Sequence, residues 1–385
     1  MLSRILPFVA AVFFAPPVPV ATQSPPPGWK PPPPPAADQI IWGAGDADVL
    51  DVTDKVKQDL EARPGHEKLR IVLRHGATDA HLQKLVTKLP WVEQLILGEP
   101  TVVSSLAPVA KLSHLTALHV NRNAVQTLAP LAKHPTLEML TFTCSKDFTD
   151  KDLTAIAGVT TLRTLDLRSC TTLKDLHGLE KLTDLQSVAT YQTPIADITA
   201  LSGHAKIRAL SLHDNTIADL APIAGMTELA QVNLRGATAP ATSFDAFRGL
   251  TKLYAVDLSK TNLTSLDVLG ASPSINMLTV QETKSLTLKN LPAWSKISML
   301  SIDGTNIADL GPIASLLPTL TYLSFDRTLV QTIAPLNKMP NLTSVTMPGA
   351  ISDAEVIALE KAHPGIGILR FGKPLPGRPP PVPIP

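Results

Sequence analysis

The sequence has little of several features that mark other classes of protein. Its 385 residues include only two cysteines, which excludes a disulfide-framed scaffold and a four-thiolate zinc site. Aromatic residues make up 4%, and 34 Lys and Arg residues almost balance 33 Asp and Glu residues. A net charge of +1 gives no broad electrostatic reason for binding nucleic acid or an anionic membrane. We therefore expect neither as a partner.

No apolar run is long enough to form a transmembrane helix. Residues 5–15 (ILPFVAAVFFA) follow the single positive charge of Arg4 and are too few to span a bilayer. Their length suits the apolar core of a secretory signal peptide. We predict a signal peptide over residues 1–21 and export from the cell. The alternative is an uncleaved apolar start of a cytosolic protein.

Proline is abundant only at the two ends of the chain. Of the 36 prolines, 12 lie in residues 1–36 and 7 in residues 373–385, so 36 − 12 − 7 leaves 17 for the 336 residues between. That share, about 5%, is ordinary for a globular protein. The ends predict extended polyproline segments, a linker over residues 22–37 and a tail over residues 373–385. We interpret them as spacers; the alternative is a ligand for an aromatic-lined groove.

The body between the ends is an internal repeat. Residues 115–125 (LTALHVNRNAV), 207–217 (IRALSLHDNTI) and 297–307 (ISMLSIDGTNI) are each apolar at positions 1, 4, 6 and 11. Position 9 is Asn or Thr in all three. The fourth position recurs every 22 to 25 residues at Ile71, Leu95, Leu118, Leu140, Leu165, Val188, Leu210, Val232, Val256, Leu278, Leu300, Leu323, Val345 and Leu369.

This pattern resembles the leucine-rich-repeat family, whose consensus is L-x-x-L-x-L-x-x-N-x-L. The resemblance covers residues 66–372. Return segments such as 219–224 (DLAPIA) and 127–132 (TLAPLA) are similar to the short-repeat, internalin-like class of bacterial surface proteins. The resemblance implies an α/β solenoid, a horseshoe with a parallel concave sheet of about 14 short strands. Proline in the return segments predicts irregular or 3₁₀ turns on the convex side rather than regular helix.

Within each unit, positions 4 and 6 should face the core and positions 5 and 7 the concave side, because they alternate along a strand. A solenoid needs capped ends. We predict an N-terminal cap over residues 38–65 that contains a short helix. Longer repeats predict helices over residues 78–88, 149–156 and 351–361.

Motifs for catalysis and metal binding were sought without success. The ten histidines form no H-E-x-x-H pattern, and no nucleophile-elbow, P-loop or dinucleotide-binding motif occurs. Asp303 and Asp326 occupy equivalent positions on successive strands, where a carboxylate dyad or cation site can be imagined. Nothing in the pattern shields them from water. We therefore expect no enzymatic activity, no resident metal and no cofactor.

The predicted concave face carries a cationic and aromatic group in its middle and an acidic group towards the end. Arg and Tyr are residue types that anchor interfaces. The alternative is an ordinary solvated face. The residues that we predict to contact a partner are Arg168, Tyr191, His213, Asp214, Arg235, Asp257, Gln281, Asp303, Tyr322, Asp326 and Arg327. We also place Arg370 on this face, at position 5 of the last strand.

Cys144 and Cys170 fall on neighbouring repeats, at positions 8 and 9. Two arrangements are open. In an oxidising compartment they could form a disulfide between two turns of the solenoid. Alternatively, Cys170 is a small buried residue in place of the usual Asn, and Cys144 is free.

The leading functional hypothesis is an exported, non-enzymatic, monomeric protein that binds a protein or polymer partner on its concave face. A second hypothesis is a structural spacer associated with the cell envelope. A third is an intracellular regulator that resembles phosphatase-binding repeat proteins, which requires an uncleaved N-terminus.

Overall fold

The computed structural model describes residues 39–42, 54–62, 65, 70–73, 76–98, 101–121 and 124–377. The predicted signal peptide, the linker over 22–37, parts of the N-terminal cap and residues 378–385 of the tail lie outside this description. The chain forms two compact units, Met1–Pro194 and Ile195–Pro385. Each unit is described by itself below.

The first unit contains a parallel sheet whose strands follow the order of the sequence. The strands are β1 (Gln39–Trp42), β2 (Arg70–Leu73), β3 (Gln94–Leu97), β4 (Ala117–Val120), β5 (Met139–Thr143), β6 (Thr164–Arg168) and β7 (Ser187–Tyr191). Its helices are α1 (Asp54–Glu61), α2 (Asp79–Lys88) and α3 (Asp150–Ala155). Three 3₁₀ turns lie at Val109–Lys111, Ala129–Leu131 and Ile156–Gly158.

The second unit repeats this arrangement. Its parallel strands are β8 (Ala209–Ser211), β9 (Gln231–Asn233), β10 (Ala255–Asp257), β11 (Met277–Thr279), β12 (Met299–Ser301), β13 (Tyr322–Ser324), β14 (Ser344–Pro348) and β15 (Gly367–Phe371). The helices are α4 (Gly311–Leu316) and α5 (Asp353–Ala362). The 3₁₀ turns are Thr199–Leu201, Ala221–Gly225, Ala241–Phe247, Asp267–Leu269 and Ala334–Lys338.

The predicted repeat register is confirmed for 13 of the 14 fourth positions. Within each unit these residues pair directly with one another, from Ile71↔Leu95 to Leu165↔Val188 in the first, and from Leu210↔Val232 to Leu323↔Val345 in the second. Residues at positions 4 and 6 are buried because every second side chain of a strand points into the core. One strand was not predicted. β1 lies inside the expected cap and pairs with β2.

The predicted helices are present, and one further helix corrects the rule applied to proline. α2 and α3 fall within the ranges expected from the longer repeats, and α5 overlaps the third range but ends one residue beyond it. Most proline-containing return segments are 3₁₀ turns, as predicted. The segment Gly311–Leu316 is instead an α-helix with Pro312 in its first turn. Proline is tolerated there because the N–H groups of the first turn have no partner within the helix.

The polar residues at position 9 pair with backbone groups at the turn after the strand. The side-chain oxygen Oδ1 of Asn215 accepts a hydrogen bond from the Ile195 N–H at 2.7 Å, and its Nδ2 donates to the His213 carbonyl at 3.1 Å. The shorter Thr261 side chain donates to the carbonyl of Leu258 at 2.7 Å. Buried backbone groups at the turn are thereby paired. Asn123 lies outside the described residues.

The last strand corrects the register by one residue. Val345 pairs with Ile368 rather than Leu369, so Leu369 lies on the outward face with 46% of its surface exposed. Arg370 therefore points inward instead of taking position 5. Its buried guanidinium donates from Nη1 to Asp353 Oδ1 at 2.6 Å and from Nη2 to the Ile351 carbonyl. These partners, supplied by α5 and the residues before it, allow an arginine to occupy an inward position.

Candidate functional site

The face of each sheet opposite the core carries strand positions 3, 5 and 7, and we call it the open face. Val232 has no exposed surface, so its neighbours on β9, Gln231 and Asn233, point to the other side of the sheet. The same alternation places the predicted site residues at positions 5 and 7 on the open face of their unit. The residues at position 8, Asp214 and Arg327, lie just beyond the strands.

In the first unit, the structure brings Arg168 and Tyr191 together as paired residues of β6 and β7. The Nε and Nη2 atoms of Arg168 donate to Asp166 Oδ2 at 3.0 and 2.6 Å. This hydrogen bond raises the pKa of the Arg168 guanidinium and fixes its orientation. Tyr191 is 45% exposed. The pair offers an oriented cation beside an accessible ring.

His119 lies at position 5 of β4, on the same open face as Arg168. Burial lowers the pKa of its imidazole to about 4, and the positive charges of Arg70 and Arg168 add to the effect. The imidazole is therefore neutral at pH 7.

In the second unit, polar residues of β8, β9 and β10 and of the turns that follow them form what we call the central patch. It consists of Ser211, His213, Gln231, Asn233, Arg235 and Asp257. Asn233 is paired with Asp257 on β10 and with Ser211 on β8. Its Oδ1 accepts from the backbone N–H of Arg235 at 3.1 Å. The structure thus brings the predicted residues Arg235 and Asp257 next to one strand.

Three polar groups of the central patch have unmet hydrogen-bonding capacity. Ser211 and Gln231 are 1% and 7% exposed, and Ser211 Oγ and Gln231 Oε1 have no hydrogen-bond partner. Asp257 Oδ1 accepts from the Ser259 N–H at 2.9 Å. Burial raises the pKa of Asp257, and the Ser259 hydrogen bonds and the charges of Arg235 and His213 oppose that rise.

Asp303 has a different surrounding from Asp257. Its Oδ2 accepts from Gln281 Nε2 and from Ser301 Oγ, each at 3.1 Å. Its Oδ1 accepts from Ser324 Oγ at 2.6 Å and from the Asp326 N–H at 2.7 Å. Four donors from three repeats therefore occupy this carboxylate. Both carboxylate oxygens of Asp303 and the Nε2 of Gln281 therefore already have partners within the sheet.

Asp326 and Arg327 belong to a row of charges beside β10–β13. Arg327 Nε lies 3.5 Å from Asp326 Oδ2, and its Nη1 lies 3.7 Å from Glu282 Oε1. Lys260 Nζ lies 3.6 Å from Glu282 Oε2. Burial and the nearby charge of Asp303 raise the pKa of Asp326, which a backbone hydrogen bond and Arg327 partly offset. Each ion pair of the row joins an exposed cation, Lys260 or Arg327, to a half-buried carboxylate, so each pair is partly solvated and contributes little to stability.

Gly304 allows this row to form. It has φ +67°, and a Cβ atom there would lie 3.1 Å from Glu282 Cγ. The acidic side chain crosses the space above the glycine to reach Arg327, which is two repeats away. Of the remaining predicted residues, Tyr322 has its hydroxyl 3.3 Å from Thr346 Oγ1. The exposed Asp214 has its Oδ2 3.2 Å from His213 Nδ1.

Cys144 and Cys170 are joined by a disulfide, with their Cα atoms 4.8 Å apart. The backbone N–H of Cys144 also donates to the carbonyl of Arg168 at 2.8 Å. The bond connects the turns after β5 and β6, next to Arg168 on the open face.

Ser211 and Gln231 were not among the predicted site residues, nor were Ser301 and Ser324, the partners of Asp303. All four are uncharged polar residues at positions 3 and 5 of their strands. Their place on the open face follows from the same alternation that places Asp257, and this is the signal that points to them. Within the described ranges, no three His, Cys, Asp or Glu residues are grouped so that they could hold a metal ion. No helix there has the length and apolar character to cross a membrane.

Solved structures share this architecture over most of the chain. An internalin from Listeria monocytogenes is 24% identical, covers 73% of this chain and 74% of its own, and has a TM-score of 0.54. A leucine-rich-repeat protein of Leptospira interrogans is 14% identical over 82% of this chain and 86% of its own, with a TM-score of 0.57. The chain has a leucine-rich-repeat fold.

The same fold occurs in the ectodomain of a plant membrane receptor kinase of Arabidopsis thaliana, solved in complex with CASPARIAN STRIP INTEGRITY FACTOR 2. It is 14% identical, covers 78% of this chain and 37% of that chain, and has a TM-score of 0.52. This leucine-rich-repeat chain thus spans about a third of the receptor ectodomain. No protein-family model matches the sequence, and a search of curated proteins found no match.

Proposed function

We propose that this leucine-rich-repeat chain is an exported, non-enzymatic protein that binds a protein partner through the open face of its sheet. The observation that most supports this proposal is the contrast between the surroundings of Asp303 and the central patch on that face. The groups of Asp303 and its neighbours already have partners, whereas buried oxygens of the central patch have none.

The first unit contributes a second contact region in this proposal. Arg168 is held by Asp166, so little side-chain entropy is lost when it meets a partner. Tyr191 supplies an exposed aromatic surface beside it. Arg and Tyr are the side chains that most often dominate the binding energy of protein interfaces.

The structural neighbours support a binding role in general terms. The plant receptor ectodomain was solved in complex with CASPARIAN STRIP INTEGRITY FACTOR 2. Internalins, which share the repeat, are also the class that the return segments of this sequence resemble. The identity of the partner is not part of the proposal.

The test uses the purified chain, immobilised and exposed to extract from the cells that produce it, and compares variants of the open face. We expect Tyr191→Ala and Arg235→Ala each to weaken capture of the same partner at least about tenfold, as interface anchors do. Lys338→Glu, an exposed residue on a return segment, is the matched control and should bind like the parent. The captured protein is then purified and titrated to give Kd.

Thermal unfolding of every variant shows that the fold is intact. If the open-face variants bind as tightly as the parent while Lys338→Glu does not, the interface lies on the other side. If none of them changes capture, the proposal is wrong.

Export is tested separately by sequencing the N-terminus of the protein from cells. A mature chain that begins at or near residue 22 supports export. An intact Met1 contradicts export and favours an intracellular regulator. Fractionation then separates the two exported alternatives. A pool that resists salt extraction from the envelope would indicate a spacer, and a free pool supports a binding protein.

A further inference from the structure

The central patch contains buried acceptors that lack donors. Ser211 Oγ and Gln231 Oε1 are both buried and unpartnered. Leaving a buried polar atom without a partner is costly, and most such atoms in folded proteins are paired. Both residues point to the open face, because the neighbouring residues Leu210 and Val232 fill the core. They are therefore placed to receive a group from a bound partner.

Asp257 adds a negative charge to the same region. One oxygen accepts from the Ser259 N–H, and among the described residues no cation lies within ion-pair distance of the carboxylate. Asn233 pairs with Asp257 on one neighbouring strand and with Ser211 on the other, and Gln231 lies two residues before it on its own strand. The three acceptors therefore surround Asn233. Neighbouring strands lie about 4.8 Å apart. Among the described residues, Ser211 Oγ, Gln231 Oε1 and the Asp257 carboxylate accept no hydrogen bond from a cationic side chain.

We infer that the central patch receives an arginine side chain of the protein partner, whose guanidinium donates to Asp257, Gln231 and Ser211. The inference rests on the proposed function and names the chemistry of the partner at this place. A guanidinium is planar, keeps its charge and presents five N–H donors in a fixed fork, so it can serve several acceptors together. Insertion would pair the half-buried charge of Asp257 and two buried oxygens in one step.

The neighbours of the patch determine how such a side chain enters. Ala209 and Ala255 flank Gln231 at the same register position, so its carboxamide has room to rotate towards a ligand. Arg235 and His213 follow at position 7, two residues beyond Asn233 and Ser211. The charge of Arg235 disfavours approach of a cation from that end of the strands. Arg235 and His213 are placed to bind a carbonyl or carboxylate next to the inserted arginine.

The probe is Nα-acetyl-arginine methylamide, titrated into the full chain, with the uncharged isostere Nα-acetyl-citrulline methylamide as control. Side-chain amide signals of Gln231 and Asn233 are followed by NMR. We expect saturable shifts of both signals, with a Kd on the order of millimolar for one side chain. The citrulline compound should cause no saturable shift.

Two variants distinguish a ligand site from a structural cluster. Asp257→Asn keeps an oxygen for the Ser259 N–H and should weaken the probe at least about tenfold, because the charge of the pair is lost. Gln231→Met removes an unpartnered buried oxygen at similar volume. It should weaken the probe while leaving the chain as stable as the parent or more so, since no hydrogen bond is lost.

Probe binding that is unchanged in Asp257→Asn, or an equal response to the citrulline compound, would overturn the inference. Its failure can be told apart from failure of the proposed function. If Arg235→Ala weakens partner capture but the arginine probe does not bind, the open face binds a partner of different chemistry. If Arg235→Ala leaves partner capture unchanged and the arginine probe does not bind, both the proposed function and this inference are wrong.

Discussion

Acid should destabilise the first unit through His119. The folded pKa of this imidazole is about 4, and the usual value is 6.5. Because the folded value is the lower one, the unfolded chain binds more protons between these two pH values. Stability from the neutral imidazole is therefore fully present above pH 6.5 and is lost as the pH falls towards 4. The cause is burial, reinforced by Arg70 and Arg168.

The size of the effect follows from the difference in proton binding. The unfolded chain is half protonated at this site at pH 6.5 and almost fully protonated at pH 5, while the folded chain stays mostly neutral. At about 1.36 kcal/mol for each pH unit of full proton difference, the free energy of unfolding falls by about 2 kcal/mol from pH 7 to pH 5. The pKa of His134 is also lowered by burial, so it acts in the same direction.

The assay is urea unfolding of the parent, His119→Gln and His114→Gln at pH 7 and pH 5. Glutamine does not titrate, so His119→Gln should lose about 2 kcal/mol less than the parent between the two pH values. His114 is exposed, and its variant should behave like the parent. The imidazole signal of His119 gives a direct check by NMR. A midpoint near pH 6.5, or an equal acid effect in His119→Gln, would refute the reasoning.

Two further predictions concern stability. Replacing Cys144 and Cys170 by serine opens a loop with a sequence separation of 26 residues and should lower the free energy of unfolding by about 3–4 kcal/mol. Thiol labelling without reductant should modify neither cysteine; two labelled thiols would show that the bond is absent. Gly304→Ala should cost about 1–2 kcal/mol, because alanine disfavours φ +67° and its methyl group would press against Glu282. Gly225→Ala is the control, since its new Cβ would have only ordinary contacts, and equal melting temperatures for the two variants would contradict the argument.

The fold could be predicted from the sequence because a repeat states the same information many times. Each repeat alone is a short, ambiguous apolar pattern, but the period of 22 to 25 residues fixes where every strand must lie. Departures at single positions, such as Cys170 in place of Asn, do not disturb the register. Strand β1 escaped prediction because it lies before the first full unit, where no period supports it.

The errors arose where tertiary contacts outweigh local pattern. A repeat of the consensus would place Leu369 inward and Arg370 outward. The carboxylate of Asp353 and the carbonyl of Ile351 supply partners for a guanidinium at the inward position instead. Burying an arginine with those partners decides the register of the last strand against hydrophobic alternation. Nothing within residues 367–371 alone reveals where those partners lie.

The sequence predicts which side chains lie on the open face but not which of them can bind a partner. Whether a side chain still has unpaired polar atoms depends on its neighbours in the adjacent repeats. Asp257 and Asp303 are both acidic residues on the open face, and the sequence gives no reason to rank them if each is read alone. Asp303 at position 7 has a serine at position 5 of its own strand and of the next, and both hydroxyls donate to it. Position 5 on the strand after Asp257 is Thr279, with which it shares no hydrogen bond among the described residues. In a leucine-rich repeat, the residues one period away therefore decide whether a carboxylate supports the sheet or can bind a partner.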